Sequence, residues 1–136
     1  NIAVHCIDFM KKLKKTPKIA TLSYARPGDY GRSEEINQSL DDAKKLTQLI
    51  EKHTNQKIEN SCVLIDQAIK NKCNILIAPN GIVGNTIFRT LVLLNSWPSF
   101  GAITFGIDDI YIDTSRDQSR EGYLRSLELA YKLAKL

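Results

Sequence analysis

The chain holds 136 residues with a formal net charge of +4. That is one domain's worth of chain, enough to bury roughly two thirds of its unfolded surface, and no apolar run approaches the roughly 20 residues that span a bilayer. The mild positive charge fits a small phosphorylated ligand better than nucleic acid, since no aromatic residues interleave with the basic run Lys11-Lys12-Leu13-Lys14-Lys15 to stack on bases.

The chain opens on Asn1, and a segment of a longer protein is expected. No signal-peptide pattern is seen, so a soluble cytoplasmic protein with no membrane and no nucleic-acid partner is the expectation. Cys6, Cys62 and Cys73 form no C-x-x-C pair, and with only His5 and His53 beside them no zinc ligand set can be assembled; free thiols and no metal are expected.

Ala3, Val4, Ile7, Met10 and Leu13 recur at helical spacing until Thr16-Pro17 stops them, and Lys18 to Ser23 reads as a strand. Tyr24 to Arg32 is a loop with turn chemistry. Ser33 then caps a helix with an acidic first turn, whose apolar face is Ile36, Leu40, Ala43, Leu46, Leu49 and Ile50. A short extended piece near Lys57 to Glu59 leads to Ser61, read as the cap of a helix burying Leu64, Ile65, Ala68 and Ile69.

Asn74 to Ala78 is an unbroken apolar strand of the kind covered on both faces in a parallel sheet. Pro79 to Asn85 interrupts it, and Ile87, Phe88, Leu91 and Val92 resume helical spacing. Trp97-Pro98 turns the chain into a strand at Gly101 to Gly106, and Ile110 to Ile112 extends again. A last helix from about Ser119 to Lys135 is expected to bury Tyr123, Leu127, Ala130, Tyr131 and Ala134. This alternation predicts an α/β fold in three layers, α/β/α, with a mostly parallel sheet whose ligands gather beyond the carboxyl ends of the strands.

Three strand-end loops carry residue types suited to anions. In the first, Gly28 and Gly31 let backbone approach a ligand while Arg26 and Arg32 offer paired donors to phosphate; the alternative is a surface turn in which Asp29 pairs with an arginine. In the second, Gly81 and Gly84 flank a turn into a helix at Asn85, with free N–H groups; the alternative is a plain connection needing glycine for positive φ. In the third, Ser115 and Arg116 can hold a phosphoryl group or a developing charge, with Asp113 or Asp117 ordering the arginine; the alternative is a helix cap with solvated arginines.

In order along the chain, Leu22-Ser23, Gly28, Asn74-Ile75-Leu76-Ile77, Pro79 through Gly84-Asn85, and Ser115-Arg116 before a closing helix resemble the C-terminal half of the phosphate acetyl/butyryl transferases, the phosphotransacylases. Arg26 through Glu34, with Ile107-Asp108 and Asp113 through Arg116, are most similar to the methanogen MtxX-type methanogenesis marker proteins, whose proposed activity is methyl transfer.

The resemblance implies an isocitrate/isopropylmalate dehydrogenase-like fold, a two-lobed parent chain, a homodimer and metal-free acyl transfer. No tightly bound cofactor is implied; coenzyme A or acyl phosphate is the substrate. By that match Ser115 and Arg116 line the reaction site, with Ser23, Arg26, Gly28, Arg32, Gly81, Gly84 and Asn85 binding ligand.

The family keeps a thiol base six positions after the arginine, where this chain has Gly122. One residue of offset on a helix turns a side chain by about 100°, so Asp117 or Glu121 would have to substitute. The alternative is a methanogenesis-associated methyltransferase or a non-catalytic subunit. No glycine-rich S-adenosylmethionine loop and no Asp-x-His-x-x-Gly corrinoid motif is present.

Overall fold

The computed structural model describes residues 2–116 and 118–136. They fall into two compact units, one running to Thr86 and the other starting at Ile87.

In the first unit, α1 (Ile2–Lys12) buries Ala3 and Ile7 and places Lys11 and Lys12 in its last turn, where cations complement the helix dipole. β1 (Ile19–Leu22) is buried along its whole length. α2 (Glu34–Thr54) starts where Ser33 Oγ accepts from the Ile36 N–H, and ends at Asn55, whose left-handed backbone lets its N–H close on Glu51 O. Its buried face holds Leu40, Ala43 and Ile50, and also Ser39 and Thr47. Thr47 Oγ1 donates to Ala43 O at 2.8 Å and lies 2.6 Å from Thr21 Oγ1, so a hydroxyl pair bridges helix and strand without an unsatisfied group.

β2 spans Glu59–Cys62, which corrects the sequence reading of Ser61 as a helix cap. The Ser61 hydroxyl is drawn to the Glu59 carboxylate at 2.6 Å, and its carbonyl accepts from Leu64 N, so the chain turns once more before α3 (Ile65–Lys70) begins. Leu64 therefore stands outside that helix. β3 (Ile75–Ile77) is shorter than the expected run and less enclosed than β1.

Both outer strands pair parallel with β1, giving the order β2-β1-β3. β1 leads to β2 on one side, and the chain then crosses to β3 on the other. Right-handed crossovers in opposite directions put α2 and α3 on opposite faces. On the α2 face, Ile19, Ile50, Ile58 and Ile75 join Ala3 and Ile7 of α1 in one cluster, flanked by Met10, Leu46 and Ile77.

α4 (Gly81–Phe88) corrects the second loop: Gly81, Gly84 and Asn85 are helical, and neither glycine has positive φ. Asn80 is the residue that caps it, its Oδ1 accepting from Val83 N at 2.9 Å. The chain continues as a π-helical segment, Arg89–Leu94.

In the second unit, β4 (Ala102–Ile103) and β5 (Ile112–Asp113) pair antiparallel as a two-stranded ribbon rather than as members of the parallel sheet. Gly101 sits before β4 at φ +84, and a Cβ there would lie 2.6 Å from Ile112 Cγ2 and 2.8 Å from Asp113 O, so only glycine lets the two strands approach. α5 (Arg120–Leu133) is capped by Ser119, whose Oγ accepts from Gly122 N.

The expected inner face of α5 is also corrected. Gly122 and Ser126 are buried, while Tyr123, Leu127 and Tyr131 are exposed, as is Ala134, and Ala130 is half-buried. Close approach of the helix to Gly101 favours small residues, so the inward stripe is set by size where the sequence pattern suggested apolarity. No described helix is long and apolar enough to cross a membrane.

Candidate functional site

A cleft of ≈ 300 Å³ opens at the carboxyl edge of the parallel sheet, lined by Leu22 and Tyr24 after β1, by Ala78 and Pro79 after β3, and by Glu35, Gln38, Ser39, Asp42, Ala43 and Leu46 of α2. The connection after β1 runs to α2 and that after β3 to α4, so the cleft lies beyond the carboxyl ends of two neighbouring parallel strands, where open α/β sheets admit ligands.

Three hydrogen bonds fix the rim. Tyr24 N donates to Ser39 Oγ at 3.0 Å, Asn80 Nδ2 donates to Tyr24 Oη at 2.6 Å, and Gln38 Nε2 donates to Asp42 Oδ1 at 2.9 Å. The Asn80–Tyr24 bond ties the first strand-end loop to the second, and Asn80 uses its other amide atom to cap α4. Tyr24, Ser39, Asn80 and the two carboxylates were not singled out from sequence. The available signal was Ser39, a polar residue set into the apolar stripe of α2 one position before Leu40.

The first loop takes the alternative course. Asp29 Oδ2 accepts from Arg26 N at 3.0 Å and Asp29 Oδ1 pairs with Arg32 Nη1 at 2.9 Å, which holds both arginine positions around one carboxylate. Gly28 lies in a short 3-10 turn, Pro27–Asp29, and Gly31 alone of the loop's glycines has positive φ. Ser23 is buried, with Oγ donating to Ala25 O at 2.9 Å, so its hydroxyl proton is spent on the strand exit. Tyr30 Oη donates to Asp41 Oδ2, and that bond raises the phenol above its ordinary value. None of Ser23, Arg26, Gly28, Arg32, Gly81, Gly84 or Asn85 lines the cleft.

The third loop belongs to the second unit. Arg116 is exposed and pairs with no described carboxylate; Ser115 O accepts from Gln118 N and from Tyr123 Oη. Glu121 stands exposed in the first turn of α5. Asp117 lies outside the described residues. The space above Gly122 is filled by the Gln118 side chain, whose amide carbon would lie 2.5 Å from a Cβ. The thiols are free, and burial pushes the Cys6 and Cys73 thiols up, Cys73 being raised further by the Glu59 carboxylate. Among the described residues no group of His, Cys, Asp and Glu is arranged to hold a metal.

Comparison with known proteins gives a consistent set of relatives. The chain is 33% identical over 122 residues to an uncharacterized methyltransferase of Methanocaldococcus jannaschii, covering 89% of this chain and 49% of that protein. It is 38% identical over 110 residues to a protein of Methanosarcina barkeri named "putative methyltransferase mtx subunit X", covering 80% of this chain and 40% of the relative. A Methanosarcina mazei protein of the same name is 36% identical over 110 residues, 80% of this chain and 38% of its own length. These relatives support an MtxX-type protein.

The chain spans about half the length or less of these MtxX-type relatives. No protein-family model matches it. No solved structure matches it significantly, so the α/β class rests on the parallel sheet and its helices.

Proposed function

We propose that this chain is the ligand-binding portion of an MtxX-type methyl-transfer protein, with the ligand seated in the cleft between the β1 and β3 exits. The observation that carries the reading is the cleft's position: it lies beyond the carboxyl ends of the neighbouring strands β1 and β3, and the Asn80–Tyr24 bond pins the loops that follow them. The relatives' names point to methyl transfer rather than to acyl transfer. The cleft agrees, since its charged lining is two carboxylates and no cation, the wrong sign for a phosphate or coenzyme A polyanion.

The test is transfer of a labelled methyl group by the complete protein, compared with Gln38→Trp, which puts an indole into the cleft from an exposed position on α2. Loss of transfer with an unchanged melting temperature is expected. Undiminished transfer by that variant overturns the reading.

A second reading has its own observation. Arg116 presents an exposed guanidinium just before the capped start of α5, a setting that suits a phosphate group. Titration of the complete protein with phosphate, acetyl phosphate and coenzyme A tests it. Arg116→Ala is expected to abolish such binding while changing stability by no more than about 0.5 kcal/mol, as for other exposed positions.

A further inference from the structure

The lining of the cleft identifies the kind of molecule it takes. Its floor is apolar, made of Leu22, Ala43, Leu46, Ala78 and Pro79, and a tyrosine stands at the rim. The charged groups facing it are Glu35 and Asp42. Gln38 occupies Oδ1 of Asp42, which leaves the other carboxylate oxygen without a partner among the described residues, and Glu35 pairs with no described cation.

A further group points inward. Ser39 is only 7% exposed, lines the cleft, and uses its oxygen to accept from Tyr24 N. Its O–H proton has no acceptor among the described residues. A buried hydroxyl normally finds a partner for its proton as well as for its oxygen, because a polar hydrogen left unpaired away from water is destabilising.

From these groups we infer that the cleft binds a compact organic cation that also carries a neutral hydrogen-bond acceptor. The cationic end sits against Tyr24 and the two carboxylates, the alkyl groups cover the apolar floor, and an ether, hydroxyl or carbonyl oxygen accepts from Ser39. Aromatic and acidic groups around alkylated ammonium centres act in this way because such cations are weakly hydrated and attracted to a ring face. At ≈ 300 Å³ the cavity is at the small end of ligand sites, which excludes a dinucleotide-sized molecule from lying wholly within it. The inference rests on the cleft being the ligand site and adds the charge and size of its occupant.

Choline, which has a quaternary ammonium and a hydroxyl, is the positive probe. Its uncharged isostere 3,3-dimethyl-1-butanol and acetyl phosphate are the contrasts. Amide chemical-shift mapping on the complete chain is expected to show choline perturbing Tyr24, Ser39, Ala43 and Ala78, with the uncharged isostere binding about tenfold more weakly. Asp42→Asn is expected to weaken choline by about tenfold, and Ser39→Ala to remove the preference for choline over tetramethylammonium.

Acetyl phosphate perturbing the cleft more strongly than choline would overturn the cationic class while leaving the cleft as a ligand site. Equal binding of choline and its uncharged isostere would overturn it too. No perturbation of the cleft by any probe would remove both this inference and the site on which it rests.

Discussion

The two edges of the three-stranded sheet use polar residues in opposite ways. At the amino edge Lys18 N donates to Asn74 Oδ1 at 2.8 Å, Asn74 Nδ2 donates to Thr16 O at 2.9 Å, and the Glu59 carboxylate gathers Ser61, Asn71 and Cys73. Lys18 Nζ closes the group on Asn71 O. At the carboxyl edge Asn80 holds Tyr24, Tyr24 holds Ser39 and Gln38 holds Asp42, and Tyr24, Ser39, Gln38 and Asp42 line open space. One edge stabilises the fold; the other is held open by it. In open α/β sheets that division is general, since ligands bind beyond the strand carboxyl ends.

Mutations separate the edges. The largest effect is expected beneath both: Ile75→Ala empties a position 7% exposed in the central cluster and should cost about 2–5 kcal/mol, read as a lowered denaturant midpoint. Asn74→Ala removes two hydrogen bonds that join Thr16, Lys18 and β3, and a loss of about 2 kcal/mol with ligand affinity unchanged is expected.

At the other edge, Asn80→Ala should cost about 1 kcal/mol for the lost α4 cap, yet release Tyr24 and reduce choline affinity. If Asn74→Ala disturbed the cleft as much as Asn80→Ala does, the two edges would not be independent.

The smallest effect is in acid. The Ser61 hydroxyl first, then Asn71, Cys73 and Lys18, hold the Glu59 carboxyl below its ordinary 4.5, against the opposing effect of burial. A depressed folded value means a stabilisation that is present above the ordinary value and lost as pH falls through the folded one. Chemical denaturation below pH 4.5 should therefore show an acid loss in the parent that Glu59→Gln lacks.

The elements whose signals are local were legible in advance. Ser33 before two glutamates and a long apolar stripe specified α2, because a cap and a 3.6-residue period act within a few turns of chain. The runs Lys18 to Ser23 and Asn74 to Ala78 likewise announced strands, and β1 and β3 pair parallel, though β3 is less enclosed than its apolar run suggested. Ser61 misled because its hydroxyl had two local partners on offer, a helix N–H or the Glu59 carboxylate, and only the pairing of β2 with β1 selects the second. The α5 stripe misled because Gly122 and Ser126 are inside on account of size, which hydropathy does not measure.

By itself, then, the chain's order of residues determined the alternation of strands and helices, the loop after β1 and the similarity to MtxX-type proteins, each written in neighbouring residues. Tertiary structure alone decided which polar side chains would be spent. It joined Tyr24 to Asn80 across 56 positions, turned Asp29 onto both arginines of its loop, and left two carboxylates and one serine proton facing a cleft. The reason is that a hydrogen-bonding group takes whichever partner the fold brings within about 3 Å, and residues far apart in the chain are brought there only by the packing of α2 and β3 on β1.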